Sequence, residues 1–265
     1  MRLILKPLLN SVLLAMLAGS VVGCMTPETA LQAPASMSGV DCVETQTAPA
    51  RGHYLCAAGA RRSLIRAGDL SARIALADVP ANPNMIAVGP VAGLQGEITI
   101  YEGEIFVSTI ERGEQVRDAF VAQEASFLAF GAASGWREID VPGELASLPE
   151  IESFVLEQAR LAGIPVARPF PFRIEGVAAA LDYHVIFKPD TKPHDRVEHQ
   201  KAKVKFAAEN ETVRIAGVWA DSAAIGRYTH PGQHIHLHAV LGEGERSGHI
   251  DAIRLKRGAR LFLPG

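Results

Sequence analysis

From residue 234 the chain reads His-Ile-His-Leu-His-Ala-Val-Leu, with histidine alternating with aliphatic residues, and this alternation limits what the segment can become. Successive side chains of a β-strand point to opposite faces. As a strand, the segment puts His234, His236 and His238 on one face and Ile235, Leu237 and Ala239 on the other. The aliphatic face can pack on a core. The imidazole face must meet water, a polar partner or a metal ion. Of the nine histidines in the 265 residues, five fall between His230 and His249. Gly242 to Gly248 reads as a turn that returns His249 close to the imidazole face.

Three imidazoles around one divalent ion, with a coordination position left open, are the pattern of a catalytic zinc site; a structural site closes with four ligands. An all-imidazole set also suits copper, nickel or iron, so residue type alone does not choose the metal.

The rest of the chain favours strands. Glycine and proline are frequent, aromatic residues sparse, and the apolar runs short. Ile98–Tyr101 and Glu104–Val107 alternate with period two around Glu102-Gly103, which predicts a β-hairpin with Gly103 at positive φ. Ser126–Phe130 and Trp136–Ile139 read as further strands, and Leu64–Val79 as a strand or short helix. One helix stands out: Ser147 caps it, Pro149 sits in its first turn, and Gly163 ends it. Ile151, Phe154, Val155 and Ala159 form its apolar stripe. After a boundary at Gly163–Pro169, strands are expected at 170–174, 181–187, 202–206, 213–219, 234–241, 253–255 and 261–263. Asp190–Gln200 reads as a solvated loop. The expected fold class is β-rich α+β: two packed subdomains of mixed or antiparallel sheet with few helices, residues 51–165 and 166–265, with the metal site on the C-terminal sheet.

The start of the chain has a separate logic. Met1–Lys6 is cationic and Leu8–Val22 mostly apolar, which fits a secretory signal of residues 1–23. Val21-Val22-Gly23-Cys24 resembles a bacterial lipobox, which implies lipidation of Cys24. Residues 24–50 read as a flexible tether, rich in Thr, Ala, Pro and Ser from Thr26 to Ser38. Met25 occupies the place where many inner-membrane lipoproteins carry aspartate, so the expected location is the outer membrane, facing the periplasm, held by the lipid alone. An exported compartment permits a Cys42–Cys56 disulfide; two buried thiols are the alternative. A formal charge of -3 gives no electrostatic ground for nucleic acid as a partner.

The histidine strand and its loop resemble the acetolactate decarboxylase family, which carries a Gly-x-His-x-His strand and then Gly-Gly-His before an aliphatic residue and Asp. Here His236-Leu-His238 precedes His249-Ile-Asp251 at the family's downstream spacing. The resemblance implies the metal ligands His236, His238 and His249, with His234 as the rival, and Zn2+ as the leading choice of divalent metal. Leu94-Gln-Gly-Glu97 resembles the family's Leu-Asp-Gly-Glu and puts Glu97 on its active-site glutamate. Phe172-Arg173-Ile174-Glu175-Gly176 resembles its Ile-Arg-Ile-Asp-Gly strand. In all, the resemblance covers roughly Leu64 to the C-terminus.

Three departures stand out. Counting eleven residues on from Arg173, the family's active-site arginine becomes His184; a threonine before the Gly-Glu motif is Pro90; and the sequence reaches Gly265 where the family continues into a tail carrying a second glutamate. The implied reaction is metal-assisted decarboxylation of a small 2-hydroxy-3-oxo acid, of the acetolactate-to-acetoin type, with Glu97 as acid and base. A protonated His184, or Arg173, would bind the substrate carboxylate. A homodimer is the assembly left open, because a partner chain could supply the tail glutamate. The alternatives are a non-catalytic metal- or ligand-binding lipoprotein of the same fold, and a metal enzyme acting on another oxo or hydroxy acid.

Overall fold

A computed structural model describes residues 31–35, 37–48, 51–118 and 123–265. The signal segment, Cys24 and the first part of the tether lie outside the described residues. The chain opens with β1 (Val40–Ala48), β2 (Arg51–Ala58), α1 (Arg61–Arg66) and the short β3 (Ile74–Ala75). Next come β4 (Met85–Pro90), β5 (Glu97–Tyr101), β6 (Glu104–Glu111), β7 (Glu114–Asp118), β8 (Glu124–Ala125) and β9 (Leu128–Ala133). β10 (Trp136–Asp140), α2 (Leu148–Leu161), β11 (Phe170–Ile186) and α3 (Arg196–Lys201) follow. β12 (Lys203–Trp219), β13 (Ile235–Leu241), β14 (Arg246–Leu255) and β15 (Arg260–Pro264) complete the order.

Two large antiparallel sheets carry the fold. The first runs β1-β2-β9-β4-β5-β6-β7 and the second β10-β15-β11-β12-β13-β14, with β14 also pairing back onto β11. Their facing sides make one core: Leu55, Ile86, Val88, Phe106 and Phe127 from the first sheet meet Ala216, Val218 and Val240 from the second. The far side of the second sheet packs under α2, where Ile151, Val155 and Ala159 meet Phe172, Ile215, Leu237 and Ala239. The far side of the first sheet buries Ile98, Ile100 and Val107, with Leu31, Ala33 and Met37 packed against it.

Local chemistry accounts for several elements. Glu102 (φ 50°) and Gly103 (φ 77°) make the tight turn between β5 and β6, the double positive φ that keeps a two-residue hairpin in register. The Ser147 side chain accepts from the Glu150 N–H at the start of α2, and Gly163 takes φ 76° just past its end.

Other elements differ from the sequence expectations, each for a physical reason. The strands expected at 170–174 and 181–187 are one strand, β11, and those at 202–206 and 213–219 are one strand, β12. The intervening residues are small or polar, so they lack an apolar alternation, yet Gly176, Val177 and Ala178 pair with Val213, Thr212 and Glu211. The crossing between sheets falls at Ser134–Trp136 rather than at Gly163–Pro169. β10 pairs with β15, and the apolar stripe of α2 finds its partner surface on the second sheet. Most of the later tether is β1, paired along β2. Cys42 and Cys56 face each other there, disulfide-bonded, with Cα atoms 3.9 Å apart. The 190–200 segment contains α3, capped by the Asp195 carboxylate, which accepts from the Val197 and Glu198 N–H groups. Among the described residues no helix is long and apolar enough to cross a membrane.

The disulfide closes a loop spanning a sequence separation of 14. By the chain-entropy argument this stabilises the fold by about 3 kcal/mol. Replacing both cysteines with serine should lower the urea midpoint, with a somewhat steeper slope because the unfolded chain is no longer cross-linked; an unshifted midpoint would show that the bridge contributes nothing.

Candidate metal centre

The alternation of β13 is resolved by the two sheets. Ile235, Leu237 and Ala239 go into the core under α2, while His236 and His238 point between the sheets. Cross-strand register then assembles more imidazoles. His238 pairs with His249 of β14, and His249 pairs with His184 of β11. This puts three histidines in a row across adjacent strands, where directly opposed side chains touch. The His249 ring centroid lies 4.7 Å from that of His184, 5.4 Å from His238 and 4.9 Å from His236. His230, from the loop before β13, adds a fifth ring, 4.8 Å from His249 and 5.5 Å from His236.

β5 of the opposite sheet faces this row. Glu97 Oε2 is 3.7 Å from His238 Nε2, and Oε1 is 3.9 Å from His184 Nε2. Every group here is out of water: Glu97, His184, His236, His238 and His249 are all at most 8 % exposed. Burial is the largest influence on each. It pushes the Glu97 carboxyl up to about 8, against the pull of Arg61 and Lys203, so it holds a proton at neutral pH. It pushes His236 down to about 3 and lowers His184, His230, His238 and His249, so the imidazoles are neutral.

Three rings are oriented from behind. His236 donates from Nδ1 to the Tyr228 carbonyl at 3.0 Å. His238 Nδ1 lies 3.2 Å from Thr99 Oγ1 of β5. His184 donates from Nδ1 to Asp251 Oδ2 at 2.7 Å, and Asp251 also accepts from Lys203 Nζ at 3.1 Å. Each ring is thereby left with its Nε2 lone pair turned inward, the support that ligating histidines require. The His238 Nε2 is buried with no hydrogen-bond partner. His236 Nε2 and His249 Nδ1 stand 3.1 Å apart, close to the ~3.3 Å between two nitrogens bound tetrahedrally to one zinc ion at ordinary Zn–N lengths. The ligand nitrogens of His230, His236 and His249 all lie within 4.8 Å of one another. Neutral, pre-oriented imidazoles with an orphaned buried lone pair fit a divalent cation. His249 also falls with His184 and Asp251 in a second group whose ligand atoms lie within 4.8 Å of one another; His238, expected from the resemblance as a ligand, is in neither group, although its ring stands 5.1 Å from that of His236.

The residues weighed from sequence separate clearly in space. His234 shares the parity of His236 but precedes the strand. Its Nδ1 bonds the Ala220 carbonyl at 2.7 Å, and its ring stacks on Trp219 at 5.1 Å, apart from the cluster. Arg173 pairs with Glu102 and lies over the rings of Tyr101, Trp136 and Phe262. None of these partners belongs to the imidazole cluster. His184 joins the cluster but cannot replace an arginine as a cation, because burial keeps it neutral.

Arg61 was not legible as a site residue. It is the first residue of α1, 5 % exposed, and its backbone N–H donates to the Arg227 carbonyl at 3.0 Å. Its Nη2 lies 3.1 Å from His199 Nε2 and 3.3 Å from His230 Nδ1. Its Nη1 is buried without a partner. His199 and His194, expected at the surface, are 2 % and 7 % exposed and bonded to each other at 3.1 Å. Nothing in Arg61-Arg62 marks one arginine as internal; only the packing of α1 beside α3 and the 226–230 loop does.

Arg61, Pro90, Glu97, His184, Ile186 and the His236–His249 pair line a small cavity of about 10 Å³, room for about one water molecule. His236 and His249 also border a larger recess of about 300 Å³ beneath the start of α2, formed with Leu148, Pro149, Glu152 and Gln233.

Two face-packed antiparallel sheets with an imidazole cluster between them define the class of this protein. Its fold is that of the acetolactate decarboxylases, of which it is a divergent structural relative. The crystal structure of acetolactate decarboxylase from Bacillus subtilis subspecies spizizenii superimposes with a TM-score of 0.65 at 17% identity, covering 79% of this chain and 85% of that one. Alpha-acetolactate decarboxylase from Bacillus subtilis strain 168 gives 0.63 at 16% identity, over 79% and 84%. A Staphylococcus aureus protein of unknown function, described as similar to alpha-acetolactate decarboxylase, gives 0.61 at 13% identity over the same shares. No protein-family model and no curated protein matches the sequence.

Elemental analysis of protein dialysed against zinc should find about one ion per chain. His236→Ala should abolish retention and His238→Ala weaken or abolish it, whereas His234→Ala should leave it intact. Full retention by the His236 variant would place the ion elsewhere.

Proposed function

We propose that this protein is a metal-dependent decarboxylase of a small 2-hydroxy-3-oxo acid, of the acetolactate-to-acetoin type. The observation that carries the reading is the opposition of Glu97, a buried carboxyl that holds its proton at neutral pH, to inward-facing Nε2 atoms of neutral histidines. The shared fold supports it. His236 and His249, with His238 or His230, would hold the cation. When bound, it supplies Lewis-acid stabilisation of the negative charge that develops on the substrate oxygens as carbon dioxide leaves.

The protein's own groups do the rest. Cleavage of the carbon–carboxylate bond leaves its electron pair on C2, conjugated with the neighbouring carbonyl. Glu97 then donates its proton to that carbon, giving the hydroxyketone, and regains a proton from water. A carboxyl poised near neutrality suits a role that alternates between acid and base. The sheets exclude bulk water, so the field of these groups on the developing charge is little screened. Asp251 holds His184 in the tautomer that donates away from the centre.

We also propose that the protein is an outer-membrane lipoprotein facing the periplasm, attached through Cys24. The lipobox-like residues support this, and the Cys42–Cys56 bridge suits an oxidising compartment.

The test uses metal-loaded protein lacking residues 1–24. Release of carbon dioxide and acetoin from acetolactate is expected, in equal amounts. Glu97→Gln should keep the metal and lower kcat by roughly 10²- to 10⁴-fold. Metal retention without any acetoin from the unmutated protein would discard the reaction and leave a binding protein of the same fold.

A further inference from the structure

We propose that Arg61 is the anion-binding group of this centre, that its Nη1 edge receives the substrate carboxylate, and that the His199–His194 pair positions it. The inference rests on the proposed function for the presence of a carboxylate in the substrate. The rest comes from the geometry around α1.

A buried charge is ordinarily paired. Among the described residues no carboxylate stands within 4.0 Å of Arg61, and its two polar neighbours at Nη2 are imidazoles. Glu97 is the acid near enough to act on it, and it stands across the shared cavity, beyond ion-pair distance. The guanidinium keeps its charge even so, since burial brings it down only to about 10. Arg61 therefore stands outside ion-pair reach of the described carboxylates, with its Nη1 donor unused, and it lines the cavity shared with Glu97, His184, His236 and His249.

The neighbours fix which edge is free. A guanidinium has donors only, so the His199 Nε2 facing it must be a lone pair. The proton of His199 then sits on Nδ1 and is donated to His194 Nε2 at 3.1 Å. This chain ties down Nη2 and leaves Nη1 directed inward. His184, the position that the family resemblance assigns to an arginine, is committed to Asp251 through its Nδ1 at 2.7 Å. Arg61 brings a charged donor, its free Nη1, to the same cavity from a different element, suited to a charge-assisted bond to a carboxylate.

The experiment compares a carboxylate with its neutral twin. Metal-loaded protein is titrated calorimetrically with 2-hydroxyisobutyrate and with 2-hydroxyisobutyramide, neither of which can decarboxylate to a hydroxyketone. Unmutated protein should prefer the acid by roughly 10- to 100-fold, the worth of a charge-assisted hydrogen bond. Arg61→Gln and Arg61→Met should lower that ratio several-fold, to the preference the divalent ion gives by itself, by weakening the acid far more than the amide. A merely structural role would weaken both ligands alike. Arg61→Lys keeps the charge but shortens its reach and cannot hold His199 and a carboxylate in the same geometry, so a several-fold loss of preference is expected if the other variants fail to fold. His199→Phe should lower the ratio without removing the charge. An unchanged ratio in the Arg61 variants that fold overturns the assignment, even while acetoin production upholds the decarboxylase reading. If the unmutated protein binds neither compound and releases no acetoin, the decarboxylase reading fails first and takes the assignment with it.

Discussion

The structure depends on enclosing polar side chains between two apolar sheets. Val218, Val240, Phe106 and Phe127 draw the sheets together, and the row His184, His249, His238 is carried inside with them. An imidazole taken out of water resists protonation. The packing that builds the core therefore also keeps the rings neutral, which is the state in which nitrogen can ligate a metal. The same desolvation acts in the opposite sense on Glu97, raising its carboxyl until it holds a proton at neutral pH. One constraint thus prepares both halves of the proposed chemistry.

Enclosure has a cost that the surroundings must offset. Buried polar atoms need partners, and here the partners come from elements distant in sequence. Tyr228, Thr99 and Asp251 serve His236, His238 and His184 from a loop, the opposite sheet and the adjoining strand. The atoms left over are informative. His238 Nε2 and Arg61 Nη1 are both buried and unpartnered, one a lone pair and the other a donor. A cation and an anion would satisfy them together, as a metal chelating a hydroxy acid does.

Identities of 16–17% with the two solved acetolactate decarboxylases show how little sequence the shared fold requires. A fold does not by itself name a reaction. The reading here stands on the site: neutral imidazoles, a protonated carboxyl and an unpaired guanidinium around one cavity.

Local rules in the sequence determined a good part of this. The histidine–aliphatic alternation set the two faces of β13, Glu102-Gly103 set the β5–β6 turn, and Ser147 and Gly163 set the ends of α2, because each depends on neighbours within a few residues. The tertiary structure decided the rest. Joining β11 and β12 into long strands took pairing across the sheet, since their middle residues carry no apolar alternation. His234 was separated from His236 by where the strand begins, which depends on Trp219 stacking and the Ala220 carbonyl. Arg61, His194 and His199 became internal only because α1, α3 and the loop before β13 close over them. Burial is a property of contacts between distant segments, and no local pattern in an Arg-Arg pair or a polar loop encodes it.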